Sequence, residues 1–136
     1  SISTPKLMQK KINYKNVLID IYDFLEKKIN QCEKNNIDRS RIIIDPGIGF
    51  GKNLKQNLNL IKNISFFHSL GVSILLGASR KTFISKISKN ALENERLGGS
   101  ISSVIFALNQ GVQVFRVHDV IETKQAVDVY NKIKSA

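Results

Sequence analysis

Hydrophobic residues recur at steps of three and four along much of the chain, the spacing of amphipathic helices with one buried face. Residues 16–34 show this pattern and predict a helix with the buried positions Val17, Leu18, Ile21, Leu25, Ile29 and Cys32. A second helix is predicted to begin at an Asn53 cap and to close at Gly71, because glycine is common just past a helix C-terminus. Its apolar positions are Leu54, Leu58, Ile61, Ile64 and Phe67.

Two more helices are predicted in the last third of the chain. The first ends at Gly111, and its apolar face contains Ile101, Val104, Ile105 and Leu108. The second begins at a capping box formed by Asp119-Val120-Ile121-Glu122. Its apolar positions are Val127, Val129, Tyr130 and Ile133.

Three short apolar runs predict β-strands at residues 41–44, 72–76 and 112–117. The continuous isoleucine run of the first strand is typical of a strand buried on both faces of a parallel sheet. The strands begin roughly 30 and 40 residues apart with a helix in each interval, which predicts right-handed βαβ units. The pattern therefore predicts an α/β protein.

Two architectures contain such units, an open doubly wound sheet and a (β/α)8 barrel. Each of the three strands runs into polar residues, and this favours the barrel, which places polar residues at the C-terminal ends of many strands. A complete barrel takes roughly 250 residues. The 136 residues are therefore predicted to form a single partial domain, residues 1–136, that supplies about half of a barrel.

The charge of the chain raises the question of a polyanionic partner. A net charge of +10 comes from 21 Lys and Arg against 11 Asp and Glu. The lysines are scattered along the predicted helices, without aromatic stacking platforms, a zinc-finger spacing or a dense basic block. This distribution favours solvated helix faces, and we expect no nucleic-acid partner.

The cysteine content and hydropathy bear on the compartment. Cys32 is the only cysteine, which excludes an intrachain disulfide, suits a reducing compartment and fits a small core residue better than a nucleophile. No apolar run reaches the roughly 20 residues that span a bilayer, and the pattern of a signal peptide is missing. We expect a cytoplasmic protein with no membrane partner.

The most informative segment is Asp45-Pro46-Gly47-Ile48-Gly49-Phe50-Gly51-Lys52, which directly follows the first strand. A carboxylate there can cap the next turn, or it can accept two N–H bonds from the amidine-like edge of a guanine or pterin. The three alternating glycines can be turn residues, or they can let the backbone approach a ligand closely. The segment lacks the dinucleotide fingerprint GxGxxG and the GKS or GKT of a P-loop, which excludes those nucleotide sites.

Cationic side chains follow the second and third strands. Ser79-Arg80-Lys81 is either a solvated helix start or an anion site, and two cations placed against the helix dipole favour the anion site. Arg116 and His118 project to the same side of an extended segment, where they can bind a phosphate and donate to an anionic leaving group. His68 falls on a predicted helix away from any strand end and is interpreted as a surface residue.

Together these residues supply one carboxylate and up to four cationic groups, which suit a planar heterocycle linked to a di- or polyphosphate. Paired carboxylates suited to glycoside hydrolysis are missing, and the sequence contains no metal-ligand cluster. No metal-binding residue is therefore predicted within this chain.

Four segments in this order resemble those of bacterial dihydropteroate synthase: Asp-Pro-Gly-Ile-Gly-Phe-Gly-Lys, Gly-Ala-Ser-Arg-Lys, Glu-Arg-Leu-Gly-Gly-Ser and Arg-Val-His-Asp-Val. Residues 4–9 also look like the loop after the fifth strand of that family. The resemblance implies the C-terminal half of a pterin-binding (β/α)8 barrel. It also implies the condensation of 6-hydroxymethyl-7,8-dihydropterin pyrophosphate with 4-aminobenzoate to dihydropteroate and pyrophosphate in folate synthesis, and a target of sulfonamides.

The resemblance also implies roles for individual residues. Lys81, Arg116 and His118 would be catalytic: Lys81 on the pterin carbonyl and ring nitrogen, and Arg116 on the pterin and, with His118, on the pyrophosphate. Asp45 would hold the amino and ring N–H edge of the pterin, and Ser79 would help to hold the aminobenzoate carboxylate. The remaining substrate-binding positions implied are Phe50, Gly77, Arg80 and Val117.

The resemblance further implies a Mg²⁺ ion whose protein ligand lies in an N-terminal half outside this sequence, and a homodimer through the last helices. On this interpretation the chain alone is inactive. A pterin-binding methyltransferase domain and a non-catalytic half-barrel remnant are the alternatives, and a basic nucleic-acid binder ranks third. The Ser-Arg-Lys and Arg-Val-His segments favour the synthase over the methyltransferase, which does not need a pyrophosphate site.

Overall fold

The computed structural model describes residues 13–136 and contains a parallel sheet of three strands in the order β1-β2-β3. The strands are β1 (Ile43–Ile44), β2 (Ser73–Leu76) and β3 (Val114–Phe115). Ile43 lies opposite Ser73, and Leu75 lies opposite Val114. Strands form at all three predicted places, but each is shorter than the apolar run that predicted it.

Within residues 13–136, five α-helices and three short 3-10 helices lie before, between and after the strands. The α-helices are α1 (Val17–Lys34), α2 (Leu54–Lys62), α3 (Thr82–Ile87), α4 (Leu97–Asn109) and α5 (Val120–Lys134). The 3-10 helices are Arg39–Arg41, Ile64–Leu70 and Glu93–Glu95. Because α2 and the helices α3 and α4 occupy the two intervals between strands, each strand enters the sheet in the same direction as the one before it. No helix within residues 13–136 has the length and apolar character needed to cross a membrane.

Helix α1 confirms the first predicted stripe. Val17, Ile21, Leu25 and Ile29 are buried, while Leu18 and Cys32 are partly buried. The Asn16 side chain caps the helix by accepting a hydrogen bond from the Ile19 N–H at 3.2 Å. Burial of each large aliphatic side chain contributes about 2 kcal/mol, which outweighs helix propensity in fixing this element.

The second predicted helix divides in two. Asn53 caps α2 in a reciprocal capping box with Gln56, as predicted for the N-terminus, but α2 ends at Lys62 and a 3-10 helix continues to Leu70. Gly71 closes it in the left-handed conformation at φ 73°. The prediction that Leu58 belongs to the buried face is wrong: it is 39% exposed, and Asn57 occupies the inward position.

The C-terminal helices differ in burial. In α4, Val104 and Ala107 are buried, so the predicted apolar face is confirmed in its centre. In α5, Val129 and Ile133 of the predicted apolar face are exposed, at 54% and 72%, while Val127 and Tyr130 are partly buried and Thr123 is the buried residue of that helix. The predicted face is therefore covered only in part, and the Tyr130 hydroxyl reaches the Asn109 side chain of α4 at 2.7 Å.

The core lies between the sheet and the helices that flank it. Ile44, Ile74 and Leu76 from the strands are almost fully buried, as are Leu60 and Phe67 from the segment between β1 and β2. This packing holds the three strand ends in register. The residues that leave the C-terminal ends of the strands consequently meet at one edge of the sheet.

Candidate functional site

The predicted site residues all leave the same edge of the sheet. Asp45 follows β1 directly, Gly77 follows β2, and Arg116 follows β3. The Arg116 N–H donates to the Leu76 carbonyl at 3.0 Å, which extends the pairing of β2 with β3 by one more bond. This bond places the loop after β3 beside the turn after β2.

The first part of the site is the glycine loop, residues 45–53. Its glycines 47, 49 and 51 have φ values of 78°, 87° and 61°, a region that side chains with a Cβ rarely adopt. The Asp45 carboxylate is exposed and accepts a hydrogen bond from the Gly47 N–H at 2.8 Å. The capping interpretation is thus correct, and the same carboxylate remains open to a ligand because it faces solvent.

Two side chains outside the predicted site, those of Lys52 and Asn57, hold this loop together. The Lys52 ammonium donates to the carbonyls of Gly47 at 2.6 Å and Phe50 at 2.8 Å. The buried Asn57 amide oxygen accepts from the Gly49 N–H at 2.9 Å. Burial lowers the pKa of Lys52 to about 8, although the nearby Asp45 charge acts in the opposite direction. In the sequence, the signal for this role of Lys52 is a lysine at the end of a glycine-rich segment.

The second part of the site is the Ser-Arg-Lys turn, residues 79–81. Arg80 adopts the left-handed conformation at φ 57°, unusual for a residue other than glycine. Its N–H donates to the Ser100 hydroxyl at 2.9 Å, and its carbonyl accepts from the Arg96 guanidinium at 2.8 Å. Arg96 and Ser100 lie at the start of α4 in the Glu-Arg-Leu-Gly-Gly-Ser segment, which therefore supports the turn.

The Arg80 side chain forms an ion pair with Asp119, at 2.9 and 3.3 Å between the guanidinium nitrogens and the carboxylate oxygens. These hydrogen bonds hold the pKa of Asp119 below its usual value and raise the pKa of Arg80. The predicted capping box is consequently wrong: Asp119 is the residue before α5, but its carboxylate binds Arg80 instead of the helix N–H groups. The Arg80 guanidinium therefore has the Asp119 carboxylate as its partner, and the anion site predicted for Arg80 and Lys81 stays a prediction.

Lys81 joins the turn to the glycine loop. Its ammonium lies 4.2 Å from the centre of the Phe50 ring, a cation–π contact. Its Cδ would lie 3.1 Å from a Cβ at position 49, so the lysine stem passes directly over Gly49. A glycine is needed there both for its positive φ and for this close approach.

Ser79 joins the turn to the third part of the site, residues 116–118. The buried Ser79 hydroxyl lies 2.9 Å from the His118 Nδ1 and accepts from the His118 backbone N–H at 3.2 Å. This contact occupies Nδ1 and leaves Nε2 of the exposed His118 ring as its second polar atom. Arg116 is also exposed, while Val117 between them is partly buried. Gly77 lies against the Arg116 Cβ, which is 4.0 Å from a Cβ built at position 77.

His68 and a neighbouring cavity lie at the opposite edge of the sheet. The cavity of about 330 Å³ is lined by residues that precede the strands, among them Arg39, His68 and Gln113. The prediction that His68 is a surface residue is wrong, because it is partly buried and its Nε2 lies 2.7 Å from the Gln110 carbonyl oxygen. Arg39 binds the Leu70 carbonyl and Gln113 accepts from the Ile74 N–H, so these polar groups hold the chain together. We find the candidate chemistry at the other edge.

The described residues do not build a metal centre. No group of three or more His, Cys, Asp and Glu side chains within residues 13–136 is arranged to hold a metal ion. The Mg²⁺ ion that the resemblance implies therefore finds no ligand cluster in this part of the chain.

Comparisons with known proteins agree with this geometry. Residues 1–118 match the model of the pterin binding enzyme family. The chain is 37% identical over 132 residues to the dihydropteroate synthase of Escherichia coli K12 and 33% identical to that of Haemophilus influenzae. In each case 97% of this chain is covered, but only 46% and 48% of the relative. The chain thus spans about half the length of these relatives.

Solved structures show the same relation. The dihydropteroate synthase of Stenotrophomonas maltophilia with bound imidazole superposes with a TM-score of 0.93 at 28% identity, covering 98% of this chain and 51% of that one. The Xanthomonas albilineans enzyme with 4-aminobenzoic acid gives a TM-score of 0.90 at 33% identity, with 93% and 46% covered. These neighbours are (β/α)8 barrels, so the predicted fold class, α/β and the C-terminal half of such a barrel, is confirmed.

The match of residues 4–9 to a barrel loop lies outside the described residues. The other quoted segments lie within them, and those around residues 45–52, 77–81 and 116–119 build the three connected parts of the site. The resemblance inferred from the sequence is confirmed, and the chain belongs to the family of pterin binding enzymes.

Proposed function

We propose that this chain supplies part of the active site of a dihydropteroate synthase. In this reaction the amine of 4-aminobenzoate displaces pyrophosphate from the exocyclic methylene carbon of the dihydropterin. The observation that carries the proposal is the linkage of the three strand ends. The Lys81–Phe50 contact joins the Ser-Arg-Lys turn to the glycine loop, and the Ser79–His118 contact joins that turn to residues 116–118. One ligand at this edge can therefore reach carboxylate, ammonium, imidazole and guanidinium groups together.

Asp45 and Lys81 are suited to hold the pterin. The exposed Asp45 carboxylate accepts one N–H from Gly47, and its remaining lone pairs can accept the amino and ring N–H groups of the heterocycle. Lys81 can donate to the pterin carbonyl and ring nitrogen while its position over Phe50 is kept by the cation–π contact. The two charges match the polarity of opposite edges of the pterin.

Arg116 and His118 are suited to the departing pyrophosphate. Both are exposed on the same side of the segment that follows β3. As the C–O bond breaks, its electron pair passes to the pyrophosphate oxygen, and the amine lone pair forms the new C–N bond with loss of one amine proton. Cationic and N–H donors that face the developing negative charge lower the barrier to this step. Because the Nδ1 of His118 is held by Ser79, its Nε2 is the nitrogen that can donate to the anion.

On this proposal the Ser79 hydroxyl can bond both His118 and the second substrate. Its hydroxyl oxygen accepts from the His118 N–H, and its proton can be directed to His118 Nδ1 or to the carboxylate of 4-aminobenzoate. The Xanthomonas albilineans structure contains 4-aminobenzoic acid, which supports this class of second substrate. The surface beside these groups comes from Phe50, Gly77 and Val117. Arg80 supports the site by its ion pair with Asp119, the residue after His118.

The names of the relatives support the synthase over the methyltransferase alternative. Mg²⁺, a cytoplasmic location and sulfonamide binding stay predictions drawn from the resemblance or composition. A homodimer through the last helices is also a proposal, and the exposed Val129 and Ile133 of α5 support it.

Replacement of Arg116 tests the proposal. In the natural full-length protein that carries this sequence, Arg116→Ala should lower turnover about 100-fold or more, because one donor to the leaving group is lost. Formation of dihydropteroate from dihydropterin pyrophosphate and labelled 4-aminobenzoate measures the effect. Arg41→Ala is the matched control, since Arg41 is exposed and lies before β1 at the other edge of the sheet. Turnover of Arg116→Ala equal to that of Arg41→Ala contradicts the assignment.

A further inference from the structure

Lys52 is the one lysine within residues 13–136 for which burial shifts the pKa strongly, and the proposed reaction does not use it. Lys52 is partly buried, and its ammonium lies against the backbone of the glycine loop. The ammonium bonds two carbonyls of the turn, those of Gly47 and Phe50. The centre of the Tyr14 ring lies 5.8 Å from the nitrogen. Burying a charged ammonium is unfavourable unless it makes such bonds.

Gly47 connects Lys52 to Asp45, because it is hydrogen-bonded to both side chains. The Gly47 N–H donates to the Asp45 carboxylate, and the Gly47 carbonyl accepts from Lys52. Rotation of the peptides around Gly47 would change both contacts together. The loop has few other bonds to oppose that rotation: among backbone pairs, the Phe50 N–H bonds the Gly47 carbonyl at 3.2 Å.

The bond from Lys52 to Phe50 reaches Lys81 in the same way. The Phe50 carbonyl accepts from Lys52, and the Phe50 ring lies under the Lys81 ammonium. Lys52 therefore touches the supports of both groups that hold the pterin in the proposed function, although it contacts neither the Asp45 nor the Lys81 side chain through a hydrogen bond.

We propose that Lys52 is a positioning residue that keeps the glycine loop closed and thereby aligns Asp45 and Lys81 for a pterin. This inference rests on the proposed function, since it assigns the pterin to these two side chains. The charged form is the effective one, because hydrogen bonds from an ammonium are stronger than those from a neutral amine. Loss of the Lys52 proton should consequently loosen the loop and weaken pterin binding.

The charges around Lys52 set the pH range of this effect. Asp45 acts on it from the glycine loop, the Tyr14 ring lies beside it from the segment before α1, and Lys81, at the start of α3, lies over the Phe50 ring. The pKa of Tyr14 is raised above its usual value by burial, so that ring stays neutral in the relevant range. Lys52, with a pKa of about 8, changes charge just above neutral pH.

As pH rises, the contribution of Lys52 to folding stability should increase, whereas pterin binding should weaken. The pKa of Lys52 falls from 10.5 to about 8 on folding, so between these values the unfolded chain binds more protons than the folded one. The contribution of Lys52 to the free energy of unfolding therefore increases as pH rises through this window. Above pH 8, pterin binding should therefore weaken while the contribution of Lys52 to folding stability increases. Alkaline unfolding of the protein would instead weaken binding and stability together.

The test uses the natural full-length protein and the fluorescent ligand 6-hydroxymethylpterin, whose quenching gives a dissociation constant. Lys52→Met should weaken binding about tenfold or more at pH 7, because two charge-assisted hydrogen bonds are lost. Lys52→Arg keeps donors and charge far above pH 8 and should bind at pH 7 within a few fold of wild type. The matched control Lys55→Met removes an exposed lysine of α2 and should bind like wild type.

The pH profile supplies the second readout. Wild-type affinity should fall above pH 8 relative to Lys52→Arg, and titration of the ligand itself cancels in that ratio. Equal affinity of Lys52→Met and Lys55→Met, or an identical alkaline fall in wild type and Lys52→Arg, overturns the role of Lys52. Failure of every variant, wild type included, to bind the pterin overturns the proposed function instead. If Lys52→Met does not fold, the comparison of wild type with Lys52→Arg still decides.

Discussion

The glycine loop and the Ser-Arg-Lys turn lie side by side, yet their shapes depend on different parts of the chain. Lys52 and Asn57 hold the glycine loop, so all of its main ties fall within residues 45–57. The turn is held by Arg96, Ser100 and Asp119, between 16 and 39 positions away along the chain. A short segment can therefore specify the first shape, whereas the second requires α4 and the end of β3 to be in place.

The kinds of contact differ as well. The loop contains three glycines with positive φ and one partly buried ammonium, and its ties bond backbone groups. The turn contains a single left-handed residue, Arg80, which is not a glycine and is bonded at its N–H, its carbonyl and its guanidinium. Backbone freedom shapes the loop, while tertiary contacts impose the conformation of the turn. Changes to the distant supports should therefore have the largest effects on folding.

The largest effect is expected for Arg96→Ala. The guanidinium donates to the carbonyls of Ala91 and Arg80 at 2.9 and 2.8 Å, and losing two charge-assisted bonds should lower the free energy of unfolding by about 3 kcal/mol. The left-handed Arg80 loses a tie at the same time. Urea unfolding of the natural protein measures this change, with exposed Lys89→Ala as control. Equal midpoints for the two variants would show that the turn does not depend on α4.

A smaller effect is expected for Asn57→Ala, which breaks the local tie of the glycine loop. Asn57 is 4% exposed, and its removal leaves the Gly49 N–H without its acceptor, a loss of about 2 kcal/mol. Thermal unfolding together with pterin titration measures both stability and loop shape. The control Asn131→Ala changes an exposed asparagine of α5 and should be neutral or slightly stabilising. If Asn57→Ala is as stable as this control, the conformation of the loop depends on its glycines and not on the Asn57 hydrogen bond.

The smallest effect comes from two adjacent glycines at the start of α4, the helix that supports the turn. A Cβ at Gly99 would lie 2.5 Å from the Ile84 Cγ2, whereas one at Gly98 meets nothing within 4 Å. Overpacking against α3 outweighs the helix propensity of alanine, so Gly99→Ala should destabilise by about 1 kcal/mol. Gly98→Ala should stabilise by a little less than 1 kcal/mol. Unfolding midpoints that move in the same direction for both would contradict close packing of α3 and α4.

The same contrast explains what the sequence could predict. Periodicity located α1 and its buried positions, because burial of Ile21, Leu25 and Ile29 depends on one helix face. The glycine loop was recognised from consecutive residues. The capping box at Asp119 was wrong since its competitor, Arg80, lies 39 positions earlier, and Leu58 was wrong since Asn57 takes the inward place to reach Gly49. The roles of Arg96 and Ser100 likewise depend on contacts that no local pattern contains.

Ser79, Arg80 and Lys81 are consecutive residues whose side chains reach three different partners, His118, Asp119 and Phe50. Replacing one of them alters one contact and leaves the other two. Inserting or deleting a single residue within the turn would instead shift all three side chains out of register at once. The segment is therefore constrained more strongly in its length than in its composition, and variation among natural or designed versions should appear there as substitutions rather than as gaps.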